Sequence, residues 1–141
     1  MIDDIYNKDV LRLAANISGL EPLARPDIIT LLRSRLCGST IEVSLLVENN
    51  IISGFSQQIK ACALGQASAS VMATAAIGKS KKDIKLAREQ VKKMLETGEP
   101  LLAADWKALA ALAPASKAQP RHGAIFLPFD AVINALEKIE K

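Results

Sequence analysis

Thr40-Ile41-Glu42-Val43-Ser44-Leu45-Leu46-Val47 is the stretch that decides the fold. Ile41, Val43 and Leu45 alternate with Glu42 and Ser44, the period of a strand with one buried face. Asn49-Asn50 follows, and asparagine tolerates the positive φ that a tight hairpin turn requires. Residues 51–60 (Ile-Ile-Ser-Gly-Phe-Ser-Gln-Gln-Ile-Lys) then read as the return strand, with an irregularity expected at Gly54. Upstream, residues 28–36 (Ile-Ile-Thr-Leu-Leu-Arg-Ser-Arg-Leu) read as a further strand. The middle of the chain is therefore expected to be a three-stranded, largely antiparallel sheet.

On the N-terminal side, residues 3–17 read as an amphipathic helix with Ile5, Tyr6, Val10, Leu13 and Ile17 at helical spacing. Asp3 and Asp4 sit in its first turn, where the helix dipole favours acids. Gly19 ends it, and Pro22 and Pro26 make 19–27 an extended connection.

On the C-terminal side the pattern is helical from Gly65 onward. An alanine-rich helix is expected over 66–77, closed by Gly78. Ser80 with Asp83 three residues on is a helix start, and the helix over 81–96 carries Ile84, Ala87, Val91 and Leu95 on one side. Gly98 and Pro100 stop it. A short helix near 103–112 bears Trp106, Leu109 and Leu112. Residues 113–123 read as a loop, and a last helix over 125–139 presents Phe126, Phe129, Val132, Ile133, Leu136 and Ile139. The expectation is one α+β domain over 1–141: an N-terminal helix, the sheet, then helices packed on one face of it.

Half of the 141 residues are apolar, 23% are charged and the net charge is +3, an ordinary globular balance. The lysines of 79–93 and of the tail lie among acids on helix faces. With five aromatics in all, a base-stacking nucleic-acid surface is not expected. The apolar run near Val71–Ile77 is too short to span a membrane. Asp3 and Asp4 stand where a signal peptide carries basic residues, so the expected location is the cytoplasm. In that setting two cysteines read as free thiols or metal ligands before a disulfide.

Those two cysteines flank the hairpin. Leu36-Cys37-Gly38-Ser39-Thr40 leads into its first strand and Ala61-Cys62-Ala63-Leu64-Gly65 leaves its second. An antiparallel hairpin brings entrance and exit to the same end. Cys62 also lies a few residues before the 66–77 helix, and a helix N-terminus favours a thiolate, the form that binds metal. Read by spacing alone, both cysteines are equally well buried small apolar residues. His122, the single histidine, lies in Pro120-Arg121-His122-Gly123; it is either a third ligand or a surface residue. Gly65-Gln66-Ala67-Ser68 lacks the Gly-Lys-Ser/Thr ending of a phosphate loop, and no protease, hydrolase or dinucleotide motif is present. The expectation is a binding protein and not an enzyme.

Leu36-Cys37-Gly38-Ser39, the hairpin, Lys60-Ala61-Cys62-Ala63-Leu64-Gly65-Gln66-Ala67-Ser68-Ala69-Ser70, Ile77-Gly78-Lys79 and the tail Arg121-His122-Gly123 resemble the NifU/IscU-type iron–sulfur cluster assembly scaffolds. The resemblance covers the whole chain and is strongest over 36–80. It implies that Cys37 and Cys62 match the first two of the family's three cysteines and that His122 matches its histidine. Ser39 stands where the family has an aspartate, and Gly123 where it has the third cysteine.

The resemblance implies an iron–sulfur cluster assembly scaffold or carrier that binds iron or a [2Fe–2S] cluster through Cys37, Cys62 and His122, with Ser39 a weak further ligand. Its implied partners are a cysteine desulfurase, an iron donor and acceptor apoproteins. A [2Fe–2S] cluster takes four protein ligands. Three are in hand, so the fourth comes from Ser39, an exogenous thiol or a second subunit in a homodimer. Two thiolates, one imidazole and a water also suit tetrahedral zinc. That leaves two alternatives open: a zinc-binding sulfur acceptor for a desulfurase, and a paralogue that keeps the fold and acts as an interaction protein.

Overall fold

The computed structural model describes residues 5–34 and 38–139. The element order is α1 (Lys8–Ala15), β1 (Ile28–Arg33), β2 (Thr40–Glu48), β3 (Ile51–Lys60), α2 (Ala63–Ala75), α3 (Lys81–Thr97), two 3₁₀ segments (Ala104–Lys117 and Gln119–Arg121) and α4 (His122–Ile139). The three strands form one antiparallel sheet in the order β1-β2-β3. This is the expected α+β architecture.

The hairpin follows from its sequence. Asn49 and Asn50 both take positive φ, 54° and 64°, and close the turn between β2 and β3. The pairing shifts between Leu46↔Gly54 and Val47↔Ile52, so the irregularity falls beside Gly54 as the sequence reading has it. Ile41, Val43, Leu45, Ile52 and Phe55 bury one face of the sheet, while Ile29, Leu31 and Glu42 face outward. The helices cover the buried face. α4 lies across it, with its buried Phe129, Val132 and Leu136 in the core and Thr30 of β1 hydrogen-bonded to Asn134 at 3.3 Å.

Several boundaries differ from the sequence reading. α1 runs Lys8–Ala15 behind an N-cap at Asn7, not over 3–17, and β1 ends at Arg33, with Ser34 already outside it. α2 begins at Ala63, not 66, which makes Cys62 the N-cap itself. The chain from Ala104 to Lys117 is 3₁₀ helix and not a short α-helix followed by a loop. Its buried residues Trp106, Leu109, Leu112 and Ala115 recur every third position, the period of a three-residue turn. α4 begins at His122, so that histidine lies in the first turn of a helix and not in a preceding loop.

α3 starts on a capping box. The Ser80 hydroxyl accepts from the Asp83 N–H at 3.2 Å, and the Asp83 carboxylate accepts from the Ser80 N–H at 2.9 Å. Gly98 closes the helix at φ 81°. The Ser80 N–H holds the Asp83 carboxyl below its ordinary value of 3.8. Because the folded value is the lower one, this carboxylate's stabilisation is complete above the unfolded value and is lost as pH falls through the folded one. Removing the cap by Ser80→Ala is expected to cost about 1 kcal/mol. The melting-temperature gap between wild type and Asp83→Ala is expected to hold steady from about pH 5 to 7 and to close below about pH 4; thermal melts across that range check it.

Candidate functional site

The sheet register fixes one end of the molecule as the place where the cysteine-bearing segments leave the sheet. Arg33 pairs with Thr40 and Thr40 with Lys60, so the 34–39 connection and the Lys60–Cys62 exit share an end. Within the connection, the Ser34 N–H donates to the Ser39 carbonyl at 2.8 Å and the Gly38 N–H to the Ser34 carbonyl at 3.1 Å. Gly38 takes φ 70°, which a glycine adopts without strain. Ser39 is buried, 4% exposed. Cys37 lies outside the described residues.

Cys62 is half-buried at the N-cap of α2 and packs against the core. Its carbonyl accepts from the Gln66 N–H at 3.0 Å, while its side chain makes no cap bond to the helix. One turn on, Gly65 lets α4 approach. A Cβ there would stand 3.2 Å from the Ala124 carbonyl oxygen and 3.3 Å from the Ala124 Cβ. Three residues later the Ser68 hydroxyl donates to the Ile125 carbonyl at 2.7 Å.

The first turn of α4 thus sits against the start of α2. Its other side meets the connection from β1, where a Cβ at Gly123 would stand 2.7 Å from Ser34 Oγ. Arg121, just before the helix, donates to the Tyr6 hydroxyl at 2.5 Å and lies 5.4 Å from the centre of the Tyr6 ring. Burial and the neighbouring Cys62 push the Tyr6 hydroxyl above its ordinary range, against the pull of Arg121. Tyr6 is the member of this end that the sequence reading assigns only to a helix face, since nothing local links it to a cysteine 56 positions away.

His122 comes to the same turn, and its ring is engaged by the 3₁₀ segment. Its Nε2 lies 2.7 Å from the Ala115 carbonyl oxygen. The residue lines a cleft of about 420 Å³ with Lys92, Leu95, Glu96 and Phe126. A carbonyl only accepts, so in the neutral ring the proton is on Nε2 and Nδ1 keeps its lone pair. Histidine ligands carry this pattern, with one ring nitrogen anchored to an outer acceptor and the other left for metal. Among the described residues no three of His, Cys, Asp and Glu stand close enough together to hold a metal ion.

The packing of Gly123 has a measurable consequence. Alanine in a helix is favoured over glycine by about 1 kcal/mol, but its Cβ here meets Ser34 Oγ. Gly123→Ala is expected to be neutral or destabilising with Ser34 in place and to stabilise by about 0.5–1 kcal/mol in a Ser34→Ala background. Chemical denaturation of the four proteins of this cycle checks the sign change.

The sequence profile of the NifU-like N terminal domain matches residues 5–122. The crystal structure of a nitrogen-fixing NifU-like protein (N-terminal) from Brucella abortus superposes with a TM-score of 0.92 at 38% identity, covering 99% of this chain and 96% of that one. A candidate iron–sulfur cluster assembly scaffold protein for the SUF system from the thermophile Fervidobacterium islandicum AW-1 shares the fold, with a TM-score of 0.83 at 18% identity over 95% of this chain and 98% of that one. No curated protein matches the chain. With a matched profile over most of its length and a 38% identical structure over nearly all of it, the chain belongs to the NifU-like N-terminal domain family, whose proteins serve iron–sulfur cluster assembly.

Proposed function

We propose that this chain is an iron–sulfur cluster assembly scaffold or carrier whose thiol ligands are Cys37 and Cys62. The observation that supports this best is the wedge formed by the first turn of α4. It sits between Ser34, at the exit of β1 toward Cys37, and Gly65, one turn past Cys62. His122, anchored through Nε2, offers Nδ1 as the third ligand. Ser39 is the weakest of the set, because a serine oxygen binds metal well only when ionised.

The cluster or iron is cargo here. Thiolates are soft ligands suited to iron–sulfur centres. A chain with two of them falls short of the four ligands that a [2Fe–2S] cluster takes, so two copies of the chain, sharing one cluster, would complete the set. A cluster held with so few protein ligands per chain exchanges readily, which suits a protein that passes it on. Sulfur would come from a cysteine desulfurase, iron from a donor protein, and acceptor apoproteins would take the product. No helix among the described residues is long and apolar enough to cross a membrane, and we place this traffic in the cytoplasm.

The test is anaerobic purification and reconstitution with iron and sulfide, followed by absorbance, metal analysis and sizing. Wild type is expected to hold a [2Fe–2S] chromophore at one per two chains. Cys37→Ser and Cys62→Ser should lose it, and His122→Ala should bind about tenfold more weakly. A colourless protein holding one zinc per chain would move the assignment to a zinc-binding sulfur acceptor. A metal-free wild type after reconstitution, or a chromophore that survives Cys62→Ser, would refute the scaffold reading.

A further inference from the structure

The two edges of the sheet are treated differently. The order β1-β2-β3 makes β1 and β3 the edge strands. β3 has its outer backbone groups engaged. The Gln57 N–H donates to the Gly19 carbonyl at 2.7 Å, the Ile52 N–H to the Lys79 carbonyl at 2.9 Å, and the Gly78 N–H to the Ile52 carbonyl at 2.8 Å. On the β1 side, the Ser34 N–H donates to the Ser39 carbonyl one step beyond the Arg33↔Thr40 pair. Backbone groups alternate sides along a strand, so Ile28, Thr30 and Leu32 turn theirs to β2, while Ile29, Leu31 and Arg33 turn theirs to the free side. Among the described residues those outward groups have no hydrogen-bond partner.

The same three residues carry exposed side chains. Ile29 is 54% and Leu31 67% exposed, and Arg33 is exposed as well. Sheet edges are ordinarily blunted by lysine, by proline or by a covering segment. Ile28–Arg33 contains neither residue.

The strand is also complementary to itself. Turned antiparallel about a two-fold axis at Thr30, Ile29 of one copy comes opposite Leu31 of the other, and Asp27 comes opposite Arg33 at both ends. Asp27 gives Oδ2 to the Val47 N–H at 2.9 Å, which leaves Oδ1 for a cation. The neighbouring registers lack this match. An axis at Ile29 sets Arg33 toward Arg25, and an axis at Leu31 sets it against Ile29.

We propose that β1 is a self-association edge, pairing antiparallel with β1 of a second copy about Thr30 to make one six-stranded sheet. Ile29 and Leu31 would exchange backbone hydrogen bonds and stack their side chains across the axis, with an Asp27–Arg33 ion pair at each end. This contact is separate from cluster sharing. The two exits of β1 toward the cysteines lie at opposite ends of the pair, about 20 Å apart by the length of the strand. The dimer therefore needs no metal and leaves both cysteine ends open.

Sedimentation velocity on the metal-free full chain, over a concentration series, tests it. Wild type is expected to dimerise, and Cys62→Ser to dimerise equally. Leu31→Lys puts a charge on an already exposed position and is expected to raise the dissociation constant tenfold or more. Arg33→Asp and Asp27→Arg each set like charges against each other at both ends, so each alone is expected to dissociate. Mixed one to one they restore both ion pairs, and the mixture is expected to dimerise again. Circular dichroism checks that each variant is folded. A wild type that stays monomeric throughout would overturn the proposal and leave the edge to an extended peptide of another protein. So would association that appears only after reconstitution with iron and sulfide, or a dimer indifferent to Leu31→Lys. Charge variants that dissociate singly and stay apart when mixed would overturn the pairing about Thr30.

Discussion

The contact between α2 and α4 is the constraint on which the functional end depends. Gly65 has no side chain, so the Ala124 backbone can lie against α2 where any Cβ would crowd it. Ser68 then donates to the Ile125 carbonyl. That bond ties the first turns of α4 directly to the buried face of α2. The small residues of 63–75 are therefore a packing surface: Ala67, Ser68 and Ala69 are fully buried, and their small side chains let two helices meet at close range.

From that contact the rest of the end follows. α4 cannot approach α2 at Gly65 without bringing Gly123 to Ser34 and Arg121 to Tyr6. The connection out of β1, the start of α2 and the start of α4 come together although more than 80 residues separate the first from the last. No one of these three segments forms the site alone. The sheet register supplies the remaining condition, because Arg33, Thr40 and Lys60 lie side by side at this end. A one-residue slip of β3 would turn its buried residues outward and the Cys62 exit with them.

How far this was legible in the sequence depends on the range of the interaction. The hairpin, the Asn49-Asn50 turn and the Ser80–Asp83 capping box are set by neighbouring residues, and each stands where the local pattern puts it. The start of α2 was harder, since Cys62 has none of the side-chain oxygens that mark an N-cap in a sequence. The 3₁₀ helix over Ala104–Lys117 was misread because apolar residues at spacing three fit an α-helix nearly as well over two turns. Only the recurrence at 106, 109, 112 and 115 separates them. Pro120 and Gly123 made 113–123 look like a loop, yet proline at a helix entrance is preorganised for helix. The Arg121–Tyr6 bond had no local signal at all, because tertiary packing alone creates it.

Ser39 and Gly123 mark the departures from the ligand set that the sequence resemblance implies, and the structure shows what each position does instead. Ser39 is buried, with its carbonyl holding the Ser34 N–H. Gly123 is packed so closely on Ser34 that the first atom of a side chain there would stand only 2.7 Å from Ser34 Oγ. Both positions take part in the packing of the β1 connection and α4. A cysteine placed at 123 would first have to displace Ser34. On the function proposed above, binding would fall on fewer sulfurs than the resemblance implies for the family, and what surrounds each one would carry correspondingly more weight. At Cys62 the surroundings are the positive end of a 13-residue helix.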